Sequence, residues 1–468
     1  MDGVASAFSR AAAAARATAS RPQPRYEAAP AAAPRDSGHG WLIGGAIWLL
    51  VVMMIVPEGF DYVTLATDGG APVRGGTLNR LLWLALLGAG SIAILLRAGT
   101  AWLMVRWLNP FLLLFVVLAA ASVAWSIDPP VTARRLIRVF TILTLSTGLV
   151  LMAWHPHRLQ AVLRPVITLV LLASLAFGIG WPELAIHEDP SGILQGAWHG
   201  LANHKNGLGD LACIGLVLWT HAWLSREVHA APALAGLIIA AACLLLSRSS
   251  TSLVATAFTL VFLVLLLSAP PGLRRYMPWI VALFIGALVG YSLVLLGILP
   301  GLHTLMSPIG AITGKDMTFT GRTDIWEIMF EHIRGQQWLG SGYGAYWTGT
   351  QQGSPSFEFV DKLGFDPGSA HNGYLDILND LGTIGLLVLF GYLATFVTQA
   401  LRLLPGDRVQ SALLLALFLQ QAITNLAESR WFSPLSVDFV IMTLATAALG
   451  RALLEQHRAN ASARILQR

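Results

Sequence analysis

The chain has 468 residues, of which 55% are hydrophobic and 12% are charged, and its mean hydropathy is +0.64. A soluble domain carries about 25% charged residues, so this composition excludes an ordinary soluble protein of two or three domains. The formal net charge of +5 does not indicate nucleic-acid binding, because the basic residues are scattered among short segments. We therefore predict an all-α polytopic membrane protein with no nucleic-acid partner.

The two cysteines, Cys213 and Cys243, both lie within apolar runs. This placement predicts inert core residues rather than a disulfide or metal framework. The histidines of the predicted outer segments are too scattered for a spaced ligand set, so we predict neither a metal nor another cofactor.

The chain begins with a segment, residues 1–40, that is rich in Ala, Arg and Pro and has no apolar core. It predicts a disordered cytoplasmic tail to which we assign no chemistry. Residues 41–299 contain nine apolar runs, residues 300–380 form a large polar loop with amphipathic helices, and residues 381–454 contain three more runs before a second tail at 455–468. These apolar runs predict about twelve transmembrane helices, at 41–56, 81–96, 108–125, 137–154, 159–178, 207–224, 232–246, 252–268, 279–299, 381–403, 409–425 and 435–454.

Basic residues predict the orientation of these helices. With twelve spans, one side holds both tails and five loops, and it carries eighteen of the 30 Lys and Arg residues but six of the 25 Asp and Glu residues. Cytoplasmic loops are enriched in Lys and Arg, so both termini are predicted to be cytoplasmic. The large loop then faces the periplasm of a bacterial inner membrane.

The large loop contains two polar motifs. Arg322 precedes Asp324 and a run of apolar residues at helical spacing, which predicts an amphipathic helix on the membrane surface with Asp324 as its cap. An arginine there can bind phosphate through its planar fork of donors, or it can reach lipid headgroups. His371, beside Asn372 and Tyr374, can act as a general base near neutral pH, or it can simply hydrogen-bond to the loop backbone.

The remaining candidates lie in other segments of the same predicted side. The glycine-rich run 339–344 is favoured as a tight structural turn, since no βαβ unit surrounds it. Polar residues close to hydrocarbon are costly and therefore candidates for function. They are His204 and Lys205 at the start of the sixth span, Arg248 in the short turn after the seventh, and Arg430 after the eleventh. Gln421, Asn425 and Glu428 share one helix face, and interhelical hydrogen bonding is the favoured interpretation for Gln421 and Asn425.

Several of these motifs together resemble the O-antigen ligase and polymerase superfamily. They are Gly321-Arg322 with Trp326, Leu339-Gly340-Ser341-Gly342-Tyr343-Gly344, His371-Asn372-Gly373-Tyr374-Leu375 and Leu381-Gly382-Thr383-Ile384-Gly385. His204-Lys205-Asn206 is similar to the branch of exopolysaccharide polymerases of the succinoglycan type. The resemblance spans about residues 198–434.

The resemblance implies a metal-independent, inverting glycosyltransferase whose donor is an oligosaccharide linked to undecaprenyl diphosphate. By this resemblance, Arg322 would hold the diphosphate, and His371 would be the base or the group that orients the acceptor hydroxyl. The implied substrate-binding residues are Arg248, Lys205, His204, Arg430, Asn372 and Tyr374. The ligases often have Arg where this chain has Ser250, so the direction of Arg248 is open. The implied partners are the lipid-linked donor, a growing polysaccharide or other glycan acceptor, membrane lipids and polysaccharide-assembly proteins.

Three functions stay open at this point. The first is polymerisation of lipid-linked repeats into exopolysaccharide or capsule, which the residues around Lys205 favour. The second is a ligase that transfers glycan to lipid A-core or to a protein. The third is a transporter or flippase without catalysis, against which the lack of an internal repeat argues.

Overall fold

The computed structural model describes residues 40–57, 62, 76–188, 194–295 and 322–466. The predicted disordered tail and residues 300–321 of the large loop lie outside the described residues. Those that are described form helices and connecting turns, with one isolated β-bridge between Ile186 and Trp198. The predicted all-α membrane class is thereby confirmed.

Fifteen helices longer than one turn are described. They are α1 (Gly40–Ile55), α2 (Thr77–Leu96), α3 (Ala98–Val105), α4 (Pro110–Ala121), α5 (Pro129–Met152), α6 (Arg158–Gly180), α7 (Lys205–Leu224), α8 (Ala230–Ser247), α9 (Ser250–Ser268), α10 (Met277–Leu295), α11 (Arg322–Ile333), α12 (Phe357–Leu363), α13 (Gly373–Leu403), α14 (Arg408–Thr424) and α15 (Val437–Leu466). Each of the twelve predicted apolar runs overlaps one of them.

Eight of the described helices are long and apolar enough to cross a membrane, and the count is nine if α3 and α4, which are bent by 101° relative to each other, are one broken span. These helices support a multi-pass protein, while the number twelve stays a prediction. The helix α15 continues to Leu466, so most of the predicted second tail is helical. The helix α14 and residues 437–450 of α15 are almost entirely buried and form the centre of the bundle.

Polar caps determine where several helices begin. Asn109 accepts a hydrogen bond from the Phe111 N–H just before Pro110 opens α4, and Asp407 accepts one from the Gln410 N–H at the start of α14. Such side chains satisfy N–H groups that a helix leaves unpaired in its first turn. The residues are readable in the sequence, which is why these helix starts were predictable.

The glycine-rich run 339–344 packs onto a break in α13. Gly382 has φ +64° and ψ −165°, and a side chain there would collide with the backbone of Trp338. The Ser341 N–H donates to the Asn379 carbonyl over 2.8 Å and the Thr383 N–H donates to the Gln337 carbonyl over 2.8 Å. The run is therefore a structural turn that satisfies backbone groups freed by the break, as the sequence favoured. The helix α13 itself begins at Gly373, eight residues before the predicted span.

A second, smaller core corrects the prediction for α11. Its apolar residues, including Ile325, Trp326 and Met329, are buried against Tyr346, Trp347, Phe359 and Leu375. The apolar face of α11 therefore packs on the chain itself and does not lie on a membrane surface. Asp324 lies inside the first turn of α11 rather than capping it, because the helix already begins at Arg322.

A polar network connects the helices at the end of the bundle where α6 begins and α7 ends. Glu227 accepts hydrogen bonds from Gln160 over 3.1 Å and Arg164 over 2.9 Å, and it lies 3.0 Å from the ring of His157. Burial on its own would raise the pKa of Glu227, but the hydrogen bonds of His157, Gln160 and Arg164 outweigh it and lower the pKa to about 2. The network therefore stabilises the fold through the ionised carboxylate.

We expect Glu227→Gln to lower the thermal midpoint of the protein in detergent at pH 7. The folded-state pKa of Glu227 is lowered from 4.5 to about 2, so its contribution is present above pH 4.5 and is lost as the pH falls towards 2. The midpoints of wild type and variant should therefore converge in that interval. Glu455→Gln, in the C-terminal half of α15, is the matched control. A constant difference down to pH 3 would contradict this account.

Candidate active site

Five segments meet at one end of the bundle, opposite the Glu227 network. They are the loop before α7, the turn between α8 and α9, the start of α11, the residues that precede α13, and the turn from Asn425 to Ser436 between α14 and α15. Every predicted site residue lies in one of them or in the first two residues of the helix that follows. The segments are far apart in the chain, and the helices bring them to the same end.

Glu428 is the centre of this site. Its Oε1 accepts hydrogen bonds from Asn206 Nδ2 over 2.6 Å and from Arg322 Nη2 over 3.2 Å. Its Oε2 lies 3.7 Å from His371 Nδ1 and 3.8 Å from Arg430 Nη2. Burial on its own would raise the pKa of Glu428, but His371, Arg430 and Arg322 outweigh it and hold the pKa well below its usual range. The carboxylate is therefore ionised and shared by three basic side chains.

Arg322 reaches the site as the first residue of α11. The packing of that helix in the second core fixes the position of the arginine, whose side chain is 16% exposed. Burial lowers the pKa of Arg322 and Glu428 opposes this shift. An arginine stays charged in any case, so Arg322 places a fixed positive charge beside Glu428.

The backbone around His371 is fixed on both sides. The Trp326 indole donates to the Ala370 carbonyl over 2.8 Å, and the Asn372 N–H donates to Ser429 Oγ over 3.1 Å. His371 itself has φ +48°, in the left-handed region that non-glycine residues seldom adopt. Its Nδ1 is buried and faces Glu428, while the side chain as a whole is 29% exposed. Strained residues of this kind cluster at functional sites.

Arg430 is more fully compensated than Arg322. Its guanidinium lies 3.7 Å from Asp210, 3.8 Å from Glu428 and 3.7 Å from Asp438. Burial on its own would lower the pKa of Arg430, but these carboxylates outweigh it and raise the pKa. The Asn425 side chain positions this turn by accepting from the N–H groups of Arg430 and Trp431.

Hydrogen bonds from the first turns of α7 and α9 support Glu428. Ser249 Oγ donates to Asn206 Oδ1 over 3.0 Å, and Ser252 Oγ donates to Asp210 Oδ1 over 2.9 Å. Ser249 is also the cap of α9. The start of α7, the start of α9 and Glu428 are thus joined in one network, which limits the movement of the carboxylate.

His204 and Lys205 lie at the start of α7. His204 caps the helix through its Nδ1, which accepts from the Asn206 N–H over 3.3 Å. Burial, its largest influence, lowers the pKa of His204 to about 4. Glu428 opposes this shift, whereas Lys205 and Arg430 add to it. His204 is therefore a neutral imidazole at physiological pH.

The other predicted residues have structural contacts in this state. Arg248, at φ +50°, donates from Nη1 to the Gln195 carbonyl over 2.9 Å, so its head group points to the loop before α7. Asn372 caps α13 by accepting from the N–H groups of Tyr374 and Leu375. The Tyr374 hydroxyl donates to the Ala422 carbonyl over 3.3 Å. Substrate contact by these three residues stays a prediction.

Sequence analysis missed the acidic half of the site. Glu428 was grouped with Gln421 and Asn425 on one helix face without a role of its own, and Asp438 was not considered. The available signal was an acid two residues before Arg430 in an outer turn, together with an acid one turn inside α7. Among the described residues, no group of three or more His, Cys, Asp or Glu side chains could hold a metal ion.

Comparison with known proteins bears on the identity of this site. Residues 235–390 match the family model described as O-antigen ligase, a stretch that includes Arg248, Arg322 and His371. The chain is also 29% identical over 323 residues to the exopolysaccharide production protein ExoQ of Rhizobium meliloti, covering 64% of this chain and 67% of that one. The resemblance to the O-antigen ligase and polymerase superfamily, in its exopolysaccharide branch, is confirmed. The chain is therefore similar to membrane proteins of the O-antigen ligase and polymerase type.

The family match covers only part of the site. Glu428 and Arg430 lie beyond the family match, as does Lys205 on the other side of it. Their inclusion in the site rests on the distances to Arg322 and His371 given above.

Proposed function

We propose that this protein polymerises oligosaccharide repeats, carried on undecaprenyl diphosphate, into exopolysaccharide or capsule at the periplasmic face of the bacterial inner membrane. The observation that carries the proposal is the convergence of Arg322, His371 and Arg430, from three separate segments, on one buried carboxylate. Two arginines suit a diphosphate, and a partly exposed histidine suits a hydroxyl acceptor.

The proposed reaction is an inverting glycosyl transfer that needs no metal ion. His371 takes the proton of the acceptor hydroxyl as its oxygen forms a bond to the anomeric carbon. The bond from that carbon to the diphosphate oxygen breaks, and undecaprenyl diphosphate leaves with the electron pair. Arg322, with Arg430 behind it, stabilises the charge that develops on the leaving group. The diphosphate already activates the sugar, so no further cofactor is required.

The basic residues support the assigned side of the membrane. The site lies at the end of the bundle that the excess of Lys and Arg at the opposite end predicts to be outside, and both termini would be cytoplasmic. A lipid-linked donor fits this placement, because its tail can enter between helices from the bilayer. Lys205 and His204 lie beside the cluster and are proposed to contact the sugars of donor or acceptor. Arg248 and the polar groups of Asn372 and Tyr374 would do so only after rearrangement.

Analysis of the glycan made by a deletion strain tests this function. Loss of high-mass secreted polymer, with short repeats left on the lipid carrier, is the result expected of a polymerase. Full-length polymer stranded on the carrier would instead indicate a ligase that transfers glycan to lipid A-core or protein, the alternative favoured by the description of the matching family model. Unchanged glycan in both pools would refute both activities.

A further inference from the structure

Glu428 has two kinds of partner, one on each carboxylate oxygen. Oε1 accepts from Arg322 and Asn206, and Oε2 faces His371 and Arg430. In the proposed function, Arg322 is the diphosphate-binding group and His371 is the proton acceptor. The inference that follows rests on that proposed function and concerns how Glu428 connects its two halves.

The bond from Arg322 to Glu428 is one that a diphosphate would replace. The Glu428 carboxylate and a diphosphate are both anions that bind guanidinium N–H groups, and the diphosphate carries more charge. Arg322 is 16% exposed and Glu428 is 9% exposed, so the arginine is the more accessible of the two side chains. Without donor, Glu428 therefore occupies part of the anion-binding capacity of the site.

The contact between Glu428 and His371 is incomplete in this structure. Nδ1 of His371 is buried and has no hydrogen-bond partner among the described residues, and Glu428 Oε2 lies 3.7 Å away, beyond hydrogen-bonding distance. The backbone of His371 is fixed by its neighbours, so a small shift of the carboxylate would close the gap. An Nδ1–H facing Glu428 would leave Nε2 free to accept a proton, the arrangement by which a carboxylate orients a catalytic histidine.

We infer that Glu428 is a positioning residue that exchanges Arg322 for His371 when the donor binds. The diphosphate draws Arg322 away from Oε1, and the carboxylate, still anchored by Asn206, then closes its hydrogen bond to His371. This bond fixes the ring with Nε2 towards the acceptor hydroxyl and stabilises the imidazolium that forms. Proton transfer is thereby strongest when the lipid-linked donor is in place.

The other charged groups around His371 and Glu428 are already engaged. Asp376 accepts from the Trp347 indole over 2.9 Å and from the Ala370 N–H. Asp210 and Asp438 accept from serine hydroxyls and face Arg430. Lys205 lies at the start of α7, where the neutral imidazole of His204 caps the helix. Glu428 is therefore the carboxylate best placed to serve both Arg322 and His371.

The test separates binding from transfer in the full-length protein in lipid nanodiscs. Glu428→Gln keeps the shape of the side chain and removes its charge. We expect the affinity for undecaprenyl diphosphate to increase about threefold or more, because a competing anion is gone. We expect transfer from the lipid-linked repeat to slow by about ten- to hundredfold, because the histidine loses its orienting partner. Glu331→Gln, an exposed acid of α11 paired with Lys362, should change neither quantity.

A purely structural role predicts a different pattern, in which binding and transfer weaken together. That result, or unchanged transfer in Glu428→Gln, would overturn the inference. Glu428→Asp provides a second measurement if the first variant does not fold. It keeps the charge on a shorter side chain, so binding should stay at the wild-type level while transfer falls, and wild-type transfer would contradict the proposed coupling.

Arg322→Ala distinguishes failure of this inference from failure of the proposed function. If Arg322→Ala weakens binding of undecaprenyl diphosphate but Glu428→Gln leaves affinity unchanged, the diphosphate site stands and the coupling is wrong. If wild type does not bind undecaprenyl diphosphate, or Arg322→Ala binds it equally well, both the proposed donor site and the coupling are wrong.

Discussion

Replacing His371 by alanine is expected to reduce the rate of glycosyl transfer by about 10²- to 10⁴-fold, the usual contribution of a positioned general base. The variant should fold, since the side chain is partly exposed and Glu428 keeps Arg322, Arg430 and Asn206 as partners. It should also bind undecaprenyl diphosphate. The measurement is the rate of polymer formation from lipid-linked repeats by equal amounts of folded protein.

The matched control for this variant is His332→Ala. His332 is a histidine near the end of α11, where it lies close to Ser341 and Glu358 rather than Glu428. Its replacement should leave transfer close to the wild-type rate. If His371→Ala retained more than about a tenth of wild-type transfer, His371 would not be the proton acceptor.

Replacing Arg322 by alanine is expected to slow transfer by about 10²- to 10³-fold and to weaken binding of undecaprenyl diphosphate. The cause is the loss of a fixed cation at the leaving group, whose negative charge increases as the glycosidic bond breaks. Arg322→Lys should restore part of the rate, because a lysine keeps the charge but not the planar fork of donors. Transfer and binding are measured on the same preparations.

Arg334→Ala is the control for charge alone. Arg334 is exposed and follows the last residue of α11. Its replacement therefore removes a positive charge from the same segment without changing a partner of Glu428. Wild-type binding in Arg322→Ala, or equal losses in both variants, would contradict a specific diphosphate site at Arg322.

The sequence predicted the general architecture because the signals for it are local. Apolar runs identify membrane helices, and residues such as Asn109 and Asp407 mark where they begin. The end of the bundle at which Arg322, His371 and Arg430 meet followed from counting spans and from the distribution of basic residues. Their grouping at one end needed no knowledge of tertiary packing.

The acidic residues of the site could not be predicted in this way. Glu428 lies more than 100 residues from Arg322 and more than 200 from Asn206, and no spacing in the sequence relates them. The direction of Arg248 depends on one left-handed backbone angle at the end of α8. Likewise, the apolar face of α11 fits a membrane surface as well as a protein core. Its true partner is determined by Tyr346, Trp347 and Phe359, in segments with no strong pattern of their own.

The most direct test of the central claim is a transfer assay with purified protein in nanodiscs and lipid-linked oligosaccharide isolated from the producing cells. The account predicts that wild type lengthens the glycan and releases undecaprenyl diphosphate at the same rate, in the presence of a chelator. His371→Ala and Arg322→Ala should lose both products together. Polymer formation that continues in both variants, or that proceeds without release of undecaprenyl diphosphate, would contradict it.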